Sequence, residues 1–505
     1  MCIGHPLISV LGRDEVFVLY RPAGPGMRTD VSTPRRRIGG VLMLMGFILP
    51  VLSVASGCAF QEHRRDLERL ALAGDYRRAA AELDAPRTHS LYGDRNELLW
   101  LLDRGAVALA LGEYERTIEL LTRAERIMEL HPEASAGDRV AQWLINDTEA
   151  RYIGEPYEDL YTNVLKLLAH LQAGRIQGAA TVDARRMANK ANVLRDRYLR
   201  ARAAVESVGG ESFRTAMAGA PFESVAAGLE GGRSPRGGLT SGGQFVESPL
   251  GLLLTAVTFM KSGEPENQRV AGRRLEEALE AQGALVGPVD PRAWRGIGER
   301  SPEEVNVLLV ALSGRGPTKE ARTIGPIPIF TYPVYFQLPV LVWEPSRARS
   351  VRVRVLDEEG RPVEGADGSG LSLIEDLSSV AAENHRRYLP LVYARTLLRA
   401  AVKGGVSFAV TETIRRRDRD GWATLGAVVA GMSVLALTER ADLRCWVFLP
   451  GQAHAGMMRL PPGMYTLRVE YLDAAGRLLH RGEDRRVTVE SGPDALATVV
   501  EHTWR

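Results

Sequence analysis

The spacing of apolar residues changes character once along this chain, near Glu304, and that change constrains the fold more than any other feature. From about Glu62 to Glu280 the sequence is rich in Ala, Leu, Arg and Glu, with apolar residues at helical spacing and glycines at intervals. This is the pattern of amphipathic helices closed by Gly turns. After Glu304 the apolar residues alternate or run in short blocks between turn signals, as strands do. One segment cannot satisfy both periods, so the expected class is α+β, with helices first and a β-rich part second. At 505 residues and 45% apolar content, the chain is long enough for more than one core. The expected division is a signal region over 1–57, a helical domain over 58–300, and a β-rich, sandwich-like domain over 301–505 with a helical insertion at about 373–437.

The clearest helical unit is Glu97 to Glu129, ELLWLLDRGAVALALGEYERTIELLTRAERIME. Leu101, Gly105 and Ala108 share one face of its first helix, Gly112 closes the turn, and Tyr114, Leu121 and Ala124 line the second. This resembles a tetratricopeptide repeat, in which small residues let two helices approach closely and a Tyr fills the space between them. Leu70 to Leu83 repeats the turn as Gly74-Asp75-Tyr76, and Tyr157 to Met187 repeats it at Gly174. Leu250 to Leu279 is a weaker fourth candidate. The intervals are irregular, so the repeats are expected to be degenerate. Ala226 to Gln244 is dense in Gly, Ser and Pro and reads as a surface loop.

In the second half, Val305 to Leu312 reads as a buried strand, and Ser350 to Val363 alternates Val with Arg, so that Val351, Val353 and Val355 should face a core. Between them, prolines 326, 328, 333, 339 and 345 argue for an edge strand or an extended polyproline-like segment. Leu373 to Leu437 reads as helix, its uncharged run Ala423 to Leu437 being too short to span a bilayer. Two strands across an Asp473-Ala-Ala-Gly476 turn, and a last one over Ala495 to Val500, complete the β part.

Arg35, Arg36 and Arg37 stand before an uncharged stretch, Ile38 to Gly57, which ends in Ala55-Ser56-Gly57-Cys58. A basic start, an apolar middle and small residues is the order of a secretory signal. The tetrad resembles the bacterial lipobox, with Ala55 where Leu is usual. This implies that Cys58 is diacylated and becomes the first residue of the mature chain. An uncleaved anchor and a buried apolar helix are the competing readings. Met27 is a second candidate start. Ala59 after the cysteine favours the outer membrane by analogy with bacterial sorting.

The chemistry that the sequence lacks narrows the function further. The formal net charge is +2, and all of the basic excess lies in the signal region, so no field favours nucleic acid. There is no Cys-x-x-Cys, His-Glu-x-x-His or Gly-x-Ser-x-Gly, and no Gly-Lys pair to make Gly314-Arg-Gly-Pro-Thr-Lys319 a phosphate loop; it reads as a turn between strands. No metal site and no small-molecule cofactor is expected. His385 has charged neighbours and reads as part of a solvated helix face. Cys445 reads as a small buried residue on a strand.

Several motifs in order carry a family resemblance. They are the lipobox, Ile153-Gly-Glu-Pro-Tyr157 opening a helix, Asp183-Ala-Arg-Arg186, Gly314 to Lys319, Ala441-Asp-Leu-Arg444 followed by Trp446, and Leu460-Pro-Pro-Gly463. Together they resemble an uncharacterised family of proteobacterial lipoproteins with tetratricopeptide-like helices. The resemblance implies residence in the cell envelope and carries no catalytic residues. The expected function is a non-enzymatic scaffold, lipid-anchored in the outer membrane and facing the periplasm, that binds a protein partner in a helical groove. An envelope enzyme with a cleft between the two halves and a purely structural spacer are the alternatives.

Overall fold

The computed structural model describes residues 60–130, 150–218, 245–286, 294, 303–329, 332–415, 441–492 and 495–504. The lipobox residues Ala55, Ser56, Gly57 and Cys58, the loop 226–244 and the uncharged run Ala423 to Leu437 lie outside them. All the described residues belong to one compact unit, Ala59–Arg505. The protein is of mixed α and β class, with helices through the first half and a curled multi-stranded sheet in the second.

The helices are α1 (60–73), α2 (Tyr76–Leu83), α3 (Pro86–Tyr92), α4 (Glu97–Leu111), α5 (Tyr114–Leu130), α6 (Pro156–Gln172), α7 (Ala179–Ala218), α8 (Pro249–Lys261) and α9 (Pro265–Val286). Three of their turns share one hydrogen-bond pattern. The N–H groups of Gly74, Gly112 and Gly174 reach back three residues, and those of Asp75, Glu113 and Arg175 reach back five. Each glycine has φ between 71° and 80°. These are Schellman caps, and a left-handed residue is needed at their centre. At Gly105 a Cβ would stand 2.6 Å from Leu121 Cδ2, so the absence of a side chain lets α4 lie close against α5. Helices α4, α6 and α8 are buried almost all round, as central helices must be. Helix α6 touches α5, α7, α8 and the sheet.

The strands are β1 (Val305–Arg315), β2 (Thr318–Ile329), β3 (Tyr332–Val342), β4 (Ser350–Leu356), β5 (Ser369–Asp376), β6 (Pro450–Leu460), β7 (Gly463–Leu472), β8 (Leu478–Arg481), β9 (Arg485–Val489) and β10 (Leu496–Thr503), with α10 (Leu377–Arg415) between β5 and β6. Among the described residues they make one eight-stranded sheet in the order β10-β1-β6-β5-β4-β7-β8, with β9 also paired to β7. The sandwich expected from the alternating runs is therefore replaced by one sheet curling over its own core. Among the described strands, only β1 and β10 pair in parallel. Along β1, Val305, Val307, Leu309 and Ala311 face the inner core with Val351, Val353 and Val355, while Leu308, Val310 and Leu312 join the helices in the larger core. The period-2 pattern of β1 thus serves two cores, and the helices and the sheet share one of them.

The proline-rich stretch takes the edge-strand form expected of it, and two other local expectations are corrected. The proline-rich stretch forms a two-stranded antiparallel ribbon, β2 with β3, whose register shifts between Ile324 and Ile327. Each strand of a two-stranded ribbon is an edge, so the prolines are tolerated. Leu373 to Asp376 are strand, and the helical insertion starts at Leu377. Cys445 is buried but lies outside any strand.

Candidate functional site

Three of the motifs singled out in the sequence, Ile153 to Tyr157, Gly314 to Lys319 and Ala441 to Trp446, meet at a buried cluster of acids and bases between the two halves. Glu155 is the N-cap of α6, Pro156 takes the first helical position, and Glu155 and Glu158 form a reciprocal capping box. The helix N-terminus favours carboxylates. From the other half, the Gly314 to Lys319 connection delivers Lys319. Gly314 has φ 70°, and a Cβ on Gly316 would meet Leu449 O at 2.8 Å, so glycine lets this corner lie against the Leu449 backbone.

Lys319 Nζ donates to Glu155 Oε1, and His385 Nδ1 of α10 lies 3.6 Å from Glu155 Oε2. The Lys319 side chain is 1% exposed. His385 Nε2 is 3.0 Å from Pro339 O. His385 is buried, contrary to the solvated face read from its charged neighbours, because α10 packs on β3. Glu158 accepts three hydrogen bonds: from Tyr152 Oη at 2.6 Å, Glu155 N at 2.9 Å and Trp446 N at 2.6 Å. Arg444 closes the outside. It pairs with Asp442 at 2.7 Å, donates to Asn96 and to the carbonyl of Ala150, and lies 5.2 Å from the centre of the Tyr152 ring.

The two carboxyls of α6 are driven apart. Burial opposes ionisation of Glu155, but the Lys319 ammonium and His385 outweigh it and hold its carboxyl well below the usual range. Burial, reinforced by the charge of Glu155, pushes Glu158 up to about 7, against the pull of Lys319 and the Tyr152 hydrogen bond. Lys319 is itself raised, its carboxylate neighbours outweighing burial. Cys445 is pushed up to about 11, chiefly by burial, and is a poor nucleophile there.

Two further buried carboxylates join separate elements nearby. Glu375, at the β5 bulge, accepts from Ser248 Oγ at 2.6 Å and Leu250 N at 2.9 Å at the start of α8, and it bonds Tyr161 of α6. Burial raises it to about 7. The Tyr161 hydroxyl also lies 3.3 Å from Leu377 O. A protonated Glu375 can therefore donate to Tyr161 Oη while Tyr161 donates to that carbonyl. Asp103 of α4, raised to about 6 by burial, accepts from Tyr92 at 2.8 Å and faces Arg64 at 3.8 Å. Arg64 also donates to the carbonyl of Cys445.

A second network lies within the helices. Lys166 bridges Glu125 at 2.6 Å and Asp183 at 3.0 Å, and Lys190 bridges Asp159 at 2.9 Å and Glu125 at 3.5 Å. Arg186 reaches Glu125 at 3.1 Å, and His170 reaches Asp183 at 3.1 Å. The Asp183 to Arg186 motif therefore belongs to the packing of α7 on α5 and α6.

The repeat-turn residues lie apart from the acid and base cluster. Gly74, Gly112 and Gly174 are the three cap glycines. Tyr76 stands edge-on to Trp504 at 5.0 Å and is 3.3 Å from His502 O. Tyr114 is half-buried and influenced by Arg485. Both tyrosines sit where helices meet the sheet. Sequence reasoning missed Glu158, Glu375, Asp103, Lys166 and Lys190. Only Glu158 had a local signal, as the acid three residues after the N-cap. Among the described residues no cluster of His, Cys, Asp and Glu could hold a metal ion, and no helix is long and apolar enough to cross a membrane. No family model, curated protein or solved structure matches the chain.

Proposed function

We propose that this protein is a non-enzymatic, lipid-anchored scaffold of the bacterial cell envelope, tethered at Cys58 to the periplasmic face of the outer membrane. The observation that carries the reading is the junction at Cys58. A basic cluster, an apolar run and a lipobox end at Cys58, two residues before the first described helix opens at Phe60. The internal chemistry supports the non-enzymatic part. The oxygens of Glu158 and Glu375 are filled by donors from the protein itself, and Lys319 is spent on Glu155, so these groups clamp the helices to the second half of the chain.

We read the α4–α5 hairpin and its neighbours as tetratricopeptide-like, on the strength of the three Schellman turns and the close approach at Gly105. Such hairpins stack to present a surface to a partner protein. Val182 and Leu199 on α7 and Val270 on α9 are large apolar side chains 43–49% exposed on this half, suited to such a contact. Crosslinking in living cells, followed by purification through the lipidated protein, tests the reading. The expected result is one reproducible partner, lost in a folded V182E/L199E variant. Recovery of the same partners from that variant removes the helical surface as the binding site. A Cys58→Ala variant that stays membrane-bound and acylated removes the anchor.

A further inference from the structure

We infer that the folded body is seated directly against the lipid surface, through the corner formed by the first turns of α1, the Tyr92 to Arg95 turn and residues Arg151 to Ile153. The inference rests on acylation of Cys58 and adds to it a defined distance and a defined face. Only Ala59 separates Cys58 from Phe60, and two residue steps span at most about 7 Å. A flexible tether of about 20 residues would instead allow roughly 25 Å.

Phe60 is fixed to the body. It is 8% exposed, its ring stands edge-on to Tyr92 at 5.2 Å, and the Arg64 guanidinium lies 5.6 Å from its centre. Arg64 in turn donates to Cys445 O and faces Asp103. A lipid on Cys58 therefore brings the first turn of α1 to headgroup level.

The surface of this corner suits that position. Gln61, Glu62, Arg65 and Arg95 are exposed, and the Arg151 side chain is 44% exposed while pairing with Glu97. Ile153 is a large apolar side chain 43% exposed beside them. Guanidinium groups can reach phosphates while aliphatic atoms lie lower. Glu62, Asp94 and Glu97 balance the arginines, so the lipid and the short chain, rather than net charge, hold the seat.

The far end of the sheet supplies the control. Arg315 at the end of β1 lies 3.7 Å from Glu68 of α1. Strand β4 runs against β1 through β6 and β5, so its following turn, with Glu359, is at the far end of the strands.

The test uses the full acylated protein carrying Glu62→Cys, Arg95→Cys or Glu359→Cys, added to preformed phosphatidylethanolamine and phosphatidylglycerol vesicles. The rate of modification by a bulky maleimide–polyethylene glycol is compared with the rate in detergent. Buried Cys445 stays silent. Labelling at 62 and 95 is expected to slow several-fold on vesicles, labelling at 359 to stay unchanged, and a 20-residue Gly-Ser insertion after Ala59 to restore both rates. Equal rates at all three sites on an acylated protein would overturn the seat and leave the anchor standing. Absence of acyl groups on Cys58 by intact mass would overturn both.

Discussion

Lys319→Met tests whether the clamp between helix α6 and the β2–β3 ribbon is electrostatic. The variant keeps most of the side chain's volume and removes the ammonium that faces Glu155. A contact pair in an effective dielectric of about 20 is worth roughly 5 kcal/mol, and stripping one partner from a buried pair costs about 3–5 kcal/mol. With the Lys319 side chain 1% exposed, the estimate belongs at the upper end.

The loss has a pH signature whose sign follows from Glu155. Its carboxyl is held low in the folded wild type, so its stabilising contribution is present above the unfolded value of about 4.3 and is lost as pH falls through the folded one. Without Lys319 the same carboxyl is buried without its ammonium partner, and the folded state resists its ionisation. The destabilisation is therefore already present at pH 4, where wild-type Glu155 is still ionised, and grows further by pH 7.5 as ionisation of the unpaired carboxyl adds its cost. Urea unfolding followed by tryptophan fluorescence at the two pH values measures the difference. Glu155→Gln added to Lys319→Met should restore much of the loss at pH 7.5. A deficit equal at both pH values, or no recovery in the double variant, would refute the electrostatic account.

Glu375→Gln should flatten the pH dependence of stability. With its folded pKa raised to about 7, wild-type Glu375 favours the native state at low pH and withdraws up to about 3 kcal/mol as pH climbs from 4.5 through 7; unfolding midpoints at pH 5 and 8 would reveal an unchanged slope if the reasoning fails. Gly451→Ala should cost more than Gly251→Ala, roughly 3 kcal/mol against 1, since the first added methyl meets the Arg315 carbonyl at 2.5 Å and the second meets the mobile end of Met187 at 2.7 Å. Equal thermal shifts would contradict that ranking. Cys445 should react with a small maleimide only as fast as the protein unfolds, because its thiol is buried and raised to about 11; rapid labelling of native protein would disprove its enclosure.

Much of the local structure is legible in the sequence because local periods write it. Val351, Val353 and Val355 alternate and are buried, Gly476 closes the β7–β8 turn with φ 74°, and the cap glycines stand where helices end. At Leu373 a short apolar stretch fits either period, and pairing with β6 decides for strand. The cluster was half visible: Glu155, Lys319, Arg444 and Trp446 lie in quoted motifs, but nothing local reveals that they meet. Glu375 receives Ser248 from 127 positions away, and His385 is buried only because the ribbon covers it. Such contacts are products of the tertiary fold, and propensity carries no trace of them.

The parallel pairing of β10 with β1 sets an order of assembly. Val500 N also donates to Gln172 Oε1 of α6 at 2.6 Å, so the last strand described completes both the sheet and its seam with the helices. Contacts this distant in sequence form slowly, because the chain between them must first be closed into a loop. Until β10 arrives, β1 presents an unpaired edge able to recruit another chain. Premature termination a few residues before Leu496 should yield material that aggregates or is degraded, even though nearly every helix has been made.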